Sequence, residues 1–270
     1  MAAIVREPAV AGRFYPLDAD RLRADVESYL SPAAERISAI ACLAPHAGYM
    51  YSGPVAGAVF SRVEIPPRCI VLCPNHTGRG HPLAIMSSGS WRTPLGPVPI
   101  DSDLATALMK KFPALTEDST AHRFEHAIEV ELPFMQVCRN DACIVPIALG
   151  TGQLIVLQQL GQAIAAVLQT TKDRFLIIAS SDMNHYEDDA TTRVKDHKAI
   201  EKILALDPPG LHEMVMKESI SMCGFGPAVT MLTAARALGA QNAELVQYAT
   251  SADVSGDRQT VVGYAGIVIR

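Results

Sequence analysis

The stretch Cys69-Ile70-Val71-Leu72-Cys73-Pro74-Asn75-His76-Thr77-Gly78 constrains the chain most. An unbroken apolar run stops abruptly at Pro, Asn and Gly, the pattern of a short strand buried on both faces. Strands of that kind belong to parallel sheets covered by helices. In such sheets ligands gather just outside the carboxyl ends of the strands, which is where His76 falls. Two further apolar runs end in the same way. Residues 38–44 lead into Pro45-His46-Ala47-Gly48-Tyr49, and residues 174–179 lead into Ser180-Ser181-Asp182-Met183-Asn184-His185.

Around these strands, apolar spacing predicts helices over 19–30, 55–63, 102–112, 124–139, 154–169, 191–206, 208–217 and 227–238, with Asp101 capping the third. Pro133 predicts a kink or a late start in the fourth. Between 81 and 100, short apolar pieces separated by Gly and Pro predict strands with hairpin-like connections at a sheet edge. Residues 142–149, 245–249 and 261–269 complete the strands. No repeat or linker divides the 270 residues. The expectation is one α/β domain over 1–270 with roughly 8–10 strands, non-parallel ones included, and a mixed, mostly parallel central sheet flanked by helices.

Charge and targeting signals narrow the function classes. Lys and Arg number 23 against 28 Asp and Glu, a net charge of −5 without long runs of either sign. That balance predicts neither a nucleic-acid surface nor an anionic-membrane surface. Arg6 and Glu7 interrupt what would be the apolar core of a signal peptide. No uncharged apolar run approaches the ~18 residues of a membrane span. A soluble, cytoplasmic protein is expected. The six cysteines form no CxxC pair, so a zinc ribbon or finger is not expected.

His46, His76 and His185 each sit where a buried strand ends. One such histidine is as readily an ordinary hydrogen-bonded residue. Three on one rim point to a metal or acid–base site, because imidazole is both the commonest transition-metal ligand and the group that titrates nearest neutral pH. Asp182, three residues before His185, either shares that cavity or caps the turn. Glu125, His126 and Glu129 fall on one predicted helix. The i, i+3 pair His126 and Glu129 allows a shared metal, and a solvated acidic face is the other reading. Cys223 precedes a Gly-Pro turn into a helix, where a lowered pKa would make it a thiolate ligand or a nucleophile. His81, His122, His197 and His212 read as surface residues. No G-x-S-x-G elbow, P-loop or HExxH motif is present.

As an ordered set, several motifs resemble the Memo family, whose bacterial and archaeal members are called AmmeMemoRadiSam system protein B. They are Arg6-Glu7-Pro8-Ala9-Val10-Ala11-Gly12-Arg13-Phe14-Tyr15, Ala44-Pro45-His46-Ala47-Gly48-Tyr49, Pro74-Asn75-His76, Glu125-His126-Ala127-Ile128-Glu129, Ser180-Ser181-Asp182-Met183-Asn184-His185 and Cys223-Gly224. The resemblance runs from residue 6 to the carboxyl terminus. It implies the fold of the class III extradiol (LigB-like) dioxygenases, non-haem iron enzymes that open catechol rings. It implies His46, His76 and Cys223 as metal ligands, with cysteine standing where the dioxygenases carry glutamate. It also implies His126 and His185 as acid–base groups and Asp182 as the neighbouring carboxylate. Tyr49 is expected to shape the pocket and contact what binds there.

A soft thiolate in place of a hard carboxylate shifts metal preference away from Fe(II) alone, toward copper(I), zinc or a different iron chemistry. The leading expectation is therefore a redox protein with iron or copper, zinc being admitted by the same donors, and with oxygen or a small molecule as reactant. Two alternatives stand beside it. One is a non-catalytic cleft that binds a peptide or a protein partner. The other is a metal-independent hydrolase or transferase with Cys223 as nucleophile and His185 as base.

Overall fold

A computed structural model describes residues 4–31 and 35–270, so that Met1–Ala3 of the amino-terminal stretch lie outside the described residues. The apolar run read first is the strand Arg68–Pro74. Ile70 and Leu72 belong to one hydrophobic core, whereas Cys69, Val71 and Cys73 belong to the other. This period-2 division of an all-apolar strand is what burial on both faces requires. The helices Ser102–Lys111, Leu154–Leu168, Asp189–Leu204, Pro208–Lys217 and Phe225–Ala237 supply residues to the first core. Ala19–Tyr29, Tyr49–Arg62 and Ala127–Cys138 supply the second.

The main sheet has nine strands. At its centre Ala41–Ala44, Phe175–Ser180, Arg68–Pro74 and Cys143–Leu149 run parallel in that spatial order. Val261–Ile269 adds antiparallel to Ala41–Ala44, and Ala243–Thr250 adds antiparallel to Val261–Ile269. Leu83–Ile85 pairs antiparallel with Cys143–Leu149, close to the opposite edge. Ser90–Thr93 and Gly96–Pro99 form the expected hairpin, but in a separate three-stranded sheet with Val5–Arg6. The fold is a single α/β domain with a mixed, mostly parallel sheet between helices. Its described residues form 12 strands rather than about 8–10. The surplus includes Val5–Arg6 and Thr116–Glu117, two residues each, too short to carry a periodic signal.

Two helix starts differ from expectation by three residues or more. Tyr49–Arg62 begins six residues before position 55 and holds Pro54 in its second turn, where the ring forgoes one backbone bond. Ala127–Cys138 contains Pro133, yet begins before it. Glu125 therefore precedes the helix and His126 occupies its N-cap position. Among the described residues, no helix is long and apolar enough to cross a membrane.

Candidate metal centre

His46 follows Ala41–Ala44, His76 follows Arg68–Pro74, and Asp182 follows Phe175–Ser180. These are three adjacent parallel strands, so their carboxyl ends place the three loops side by side. Cys223 reaches the same place from the turn before the helix Phe225–Ala237. One donor atom from each of His46, His76 and Cys223 lies within 4.8 Å of the other two. Gly224 lets Cys223 come so close: a Cβ there would stand 2.4 Å from Ser181 Cβ and 2.5 Å from Ser180 O.

Hydrogen bonds decide which ring nitrogens are free. His46 Nδ1 lies 2.8 Å from Ser180 Oγ, and its Nε2 lies 3.3 Å from Cys223 Sγ. His76 Nδ1 lies 2.8 Å from Glu125 Oε1. His185 Nδ1 lies 2.9 Å from the carbonyl of Ser221, whose Oγ accepts from His185 N at 2.7 Å. In all three rings Nδ1 is committed to the protein, which leaves Nε2 for chemistry. Two such imidazoles and a thiol make a nitrogen–sulfur donor set suited to copper, iron or zinc.

Electrostatics separates the two histidine ligand candidates. Burial, then the neighbouring His126, His76 and His185 rings, holds His46 well below the ordinary histidine range, so it is a neutral imidazole. Burial alone would do the same to His76, but the hydrogen bond and charge of Glu125 outweigh it and raise the pKa. His126 stacks on His76, with centroids 4.8 Å apart at 17°, and meets His46 edge-on at 5.4 Å. Its pKa is lowered, chiefly by burial. Asp182 accepts from His46 N at 2.8 Å, and burial pushes its carboxyl up to about 6 against the opposing pull of His185.

Several expectations are corrected. Without a metal, burial, then the Asp182 carboxylate, raises the pKa of Cys223 against the pull of the adjacent helix terminus, opposite to the lowering expected from that terminus. Its sulfur meets His46, not His185. Tyr49 serves the core, donating to Val130 O at 2.7 Å with its ring against Phe134 and Tyr15. Glu129 shares no metal with His126. It binds Arg6 in a buried ion pair and accepts from Ala9 N, Val10 N and Tyr15 Oη. Nor is there a solvated acidic face, since Glu125, Glu129 and Glu131 are all 0% exposed.

His122 is not on the surface either. It is 0% exposed, edge-on to Trp91 at 5.7 Å, and neither ring nitrogen has a hydrogen-bond partner. His76, Glu125 and His126 also cluster within 4.8 Å. The Glu125 oxygens, however, are already taken by His76 N at 2.6 Å, His76 Nδ1 at 2.8 Å and Ala127 N at 3.0 Å. Glu125, Ser180 and Ser221, which hold the rings, were not recognised as supports from sequence. The available signal was the helix Ala127–Cys138, apolar on every side except for Glu129, Glu131 and Gln136, a pattern that means full burial.

Comparison with known proteins agrees with this architecture. A family model described as a Memo-like protein matches residues 6–268. A MEMO1 family protein of Methanopyrus kandleri is 44% identical over 279 residues, covering 98% of this chain and 99% of the relative. Another from Methanothermobacter thermautotrophicus is 39% identical over 276 residues, covering 97% and 99%. The crystal structure of an uncharacterized Escherichia coli K12 protein aligns with a TM-score of 0.58 at 13% identity, covering 84% of this chain and 98% of that one, a likeness of fold alone.

Proposed function

Since this chain belongs to the Memo-like family, we propose that it binds one redox-active metal, iron or copper, through His46, His76 and Cys223, with oxygen or a small molecule reacting beside it. The observation that carries this reading is the convergence of the three donors within 4.8 Å from separate segments, both histidines having Nδ1 already engaged. Bound there, iron or copper would supply one-electron chemistry at an open coordination face, whereas zinc would supply only Lewis acidity.

The chain's own groups divide the remaining work. His185, with Nδ1 anchored on Ser221, offers Nε2 to take or give a proton beside the cluster. Asp182 holds the His46 backbone and lends negative charge to the same cavity. His126 walls the site by stacking on His76. We take the protein to work in the cytoplasm, where reducing conditions keep its six free cysteines as thiols.

Metal analysis of protein purified without chelator tests the assignment. Wild type should carry close to one equivalent of iron or copper, and His46→Ala and Cys223→Ala should each lose most of it. Equal metal in wild type and both variants would put the site elsewhere.

A further inference from the structure

We propose that Glu125 is a positioning residue that fixes His76 in the Nδ1–H tautomer, and that the amino-terminal arm, through Arg6, holds Glu125 in place. The proposal rests on His76 being a ligand, and it assigns work to a sequence motif that the metal cluster itself leaves unexplained.

A carboxylate can only accept hydrogen bonds. Glu125 Oε1 therefore takes the proton of His76 Nδ1, and Oε2 takes that of His76 N. One side chain thus grips both the backbone and the ring of the same residue. The backbone contact fixes where His76 starts, and the ring contact fixes how its imidazole is turned. Nε2 is left with a lone pair directed away from Glu125. An isolated neutral imidazole has no such constraint and exchanges between tautomers.

Glu125 is itself immobilised. It is fully buried, and Ala127 N donates to its Oε1 at 3.0 Å. Arg6 secures the turn that carries it. The guanidinium donates to His122 O at 3.0 Å and to Glu125 O at 2.5 Å, and it forms the ion pair with Glu129. Trp91 lies beneath the guanidinium, 4.4 Å from its carbon. The five donors of Arg form a rigid fork, so one residue can hold three acceptors at set angles. The rest of the arm reaches two more walls of the site. Phe14 O accepts from Tyr49 N at 2.8 Å, just beyond the His46 loop, and the Phe14 ring meets His126 at 4.9 Å. The segment from Arg6 to Tyr15 is thus a brace for the metal cluster.

Nitrogen-15 NMR of the metal-free protein at pH 8.5, with labelled histidine, reads the tautomer directly. Wild type should show a protonated Nδ1 and a bare Nε2 at His76. Glu125→Ala should show a mixture, with iron or copper binding weakened about 10- to 100-fold. Glu125→Gln keeps an amide oxygen that can accept from Nδ1, so it should restore the tautomer. Its NH2 group would face His76 N, donor against donor, so metal binding should remain about tenfold weaker than in wild type. Glu125→Gln is also the variant to rely on if Glu125→Ala does not fold. Unchanged metal affinity in Glu125→Gln, or a pure Nδ1–H His76 in Glu125→Ala, would overturn the proposal. Wild type that takes up neither metal would defeat the metal assignment alone, because the tautomer is read without metal.

Discussion

Acidification should destabilise this protein in part through His122, whose carbonyl Arg6 holds in the turn that leads to Glu125. Burial, then the Arg6 charge, lowers its pKa to about 4. An unfolded chain would have a value of about 6.5. The native state therefore binds fewer protons than the unfolded state between those values, and stability falls as pH drops through them. A gap of about 2.5 pH units at 1.36 kcal/mol each makes about 3.4 kcal/mol, all of it lost below pH 4. Between pH 7.5 and pH 5 the share lost is about 2 kcal/mol. Urea unfolding at those two pH values, on wild type and His122→Leu, isolates the effect. With an m-value of about 3 kcal/mol/M, wild type should lose about 0.7 M more of its midpoint than the variant. Other histidines titrate equally in both proteins, so only the difference counts. If both lose the same, the buried, unpartnered imidazole is not the source.

Asp196 should act in the opposite sense. It accepts from Asn184 N and Tyr248 Oη, and burial raises its pKa to about 7. That exceeds the unfolded value of about 3.9, so its contribution favours the fold at low pH and is lost as pH rises through 7. Thermal melts should show wild type losing roughly 2–3 kcal/mol between pH 5 and pH 8 that Asp196→Asn retains; parallel curves would refute this. Gly224→Ala should cost about 1–3 kcal/mol of stability through its clash with Ser180 and Ser181. It should also displace Cys223 and weaken iron or copper binding at least about tenfold. Calorimetric titration showing wild-type affinity in Gly224→Ala would show that the close approach is not needed.

The central strands were legible because burial on both faces leaves an apolar run that ends where the chain turns. His46 and His76 were legible for the same reason, lying one or two residues beyond such runs. Cys223 was singled out by its turn, but the direction of its pKa shift was not legible there. A helix terminus favours thiolate, whereas desolvation and a buried carboxylate oppose it, and only the latter two depend on the tertiary structure. The acidic residues failed for a related reason. Glu125 and Glu129 find their partners 49 residues away at His76 and 123 away at Arg6. No local pattern reports such distances. His122 was invisible because a lone histidine in a turn looks the same whether it is wet or dry.

The strand order also bears on when the site can exist during synthesis. Phe175–Ser180 lies between Ala41–Ala44 and Arg68–Pro74, although it follows both in the chain. The loops bearing His46 and His76 therefore cannot take up their final spacing until a strand made about 100 residues after His76 has slipped between them. Cys223 emerges later still. The strand Phe175–Ser180 ends about two-thirds of the way along the chain, so the final spacing of the two histidines waits for it. The candidate donors His46, His76 and Cys223 can first take up their final arrangement only when the fold is nearly whole.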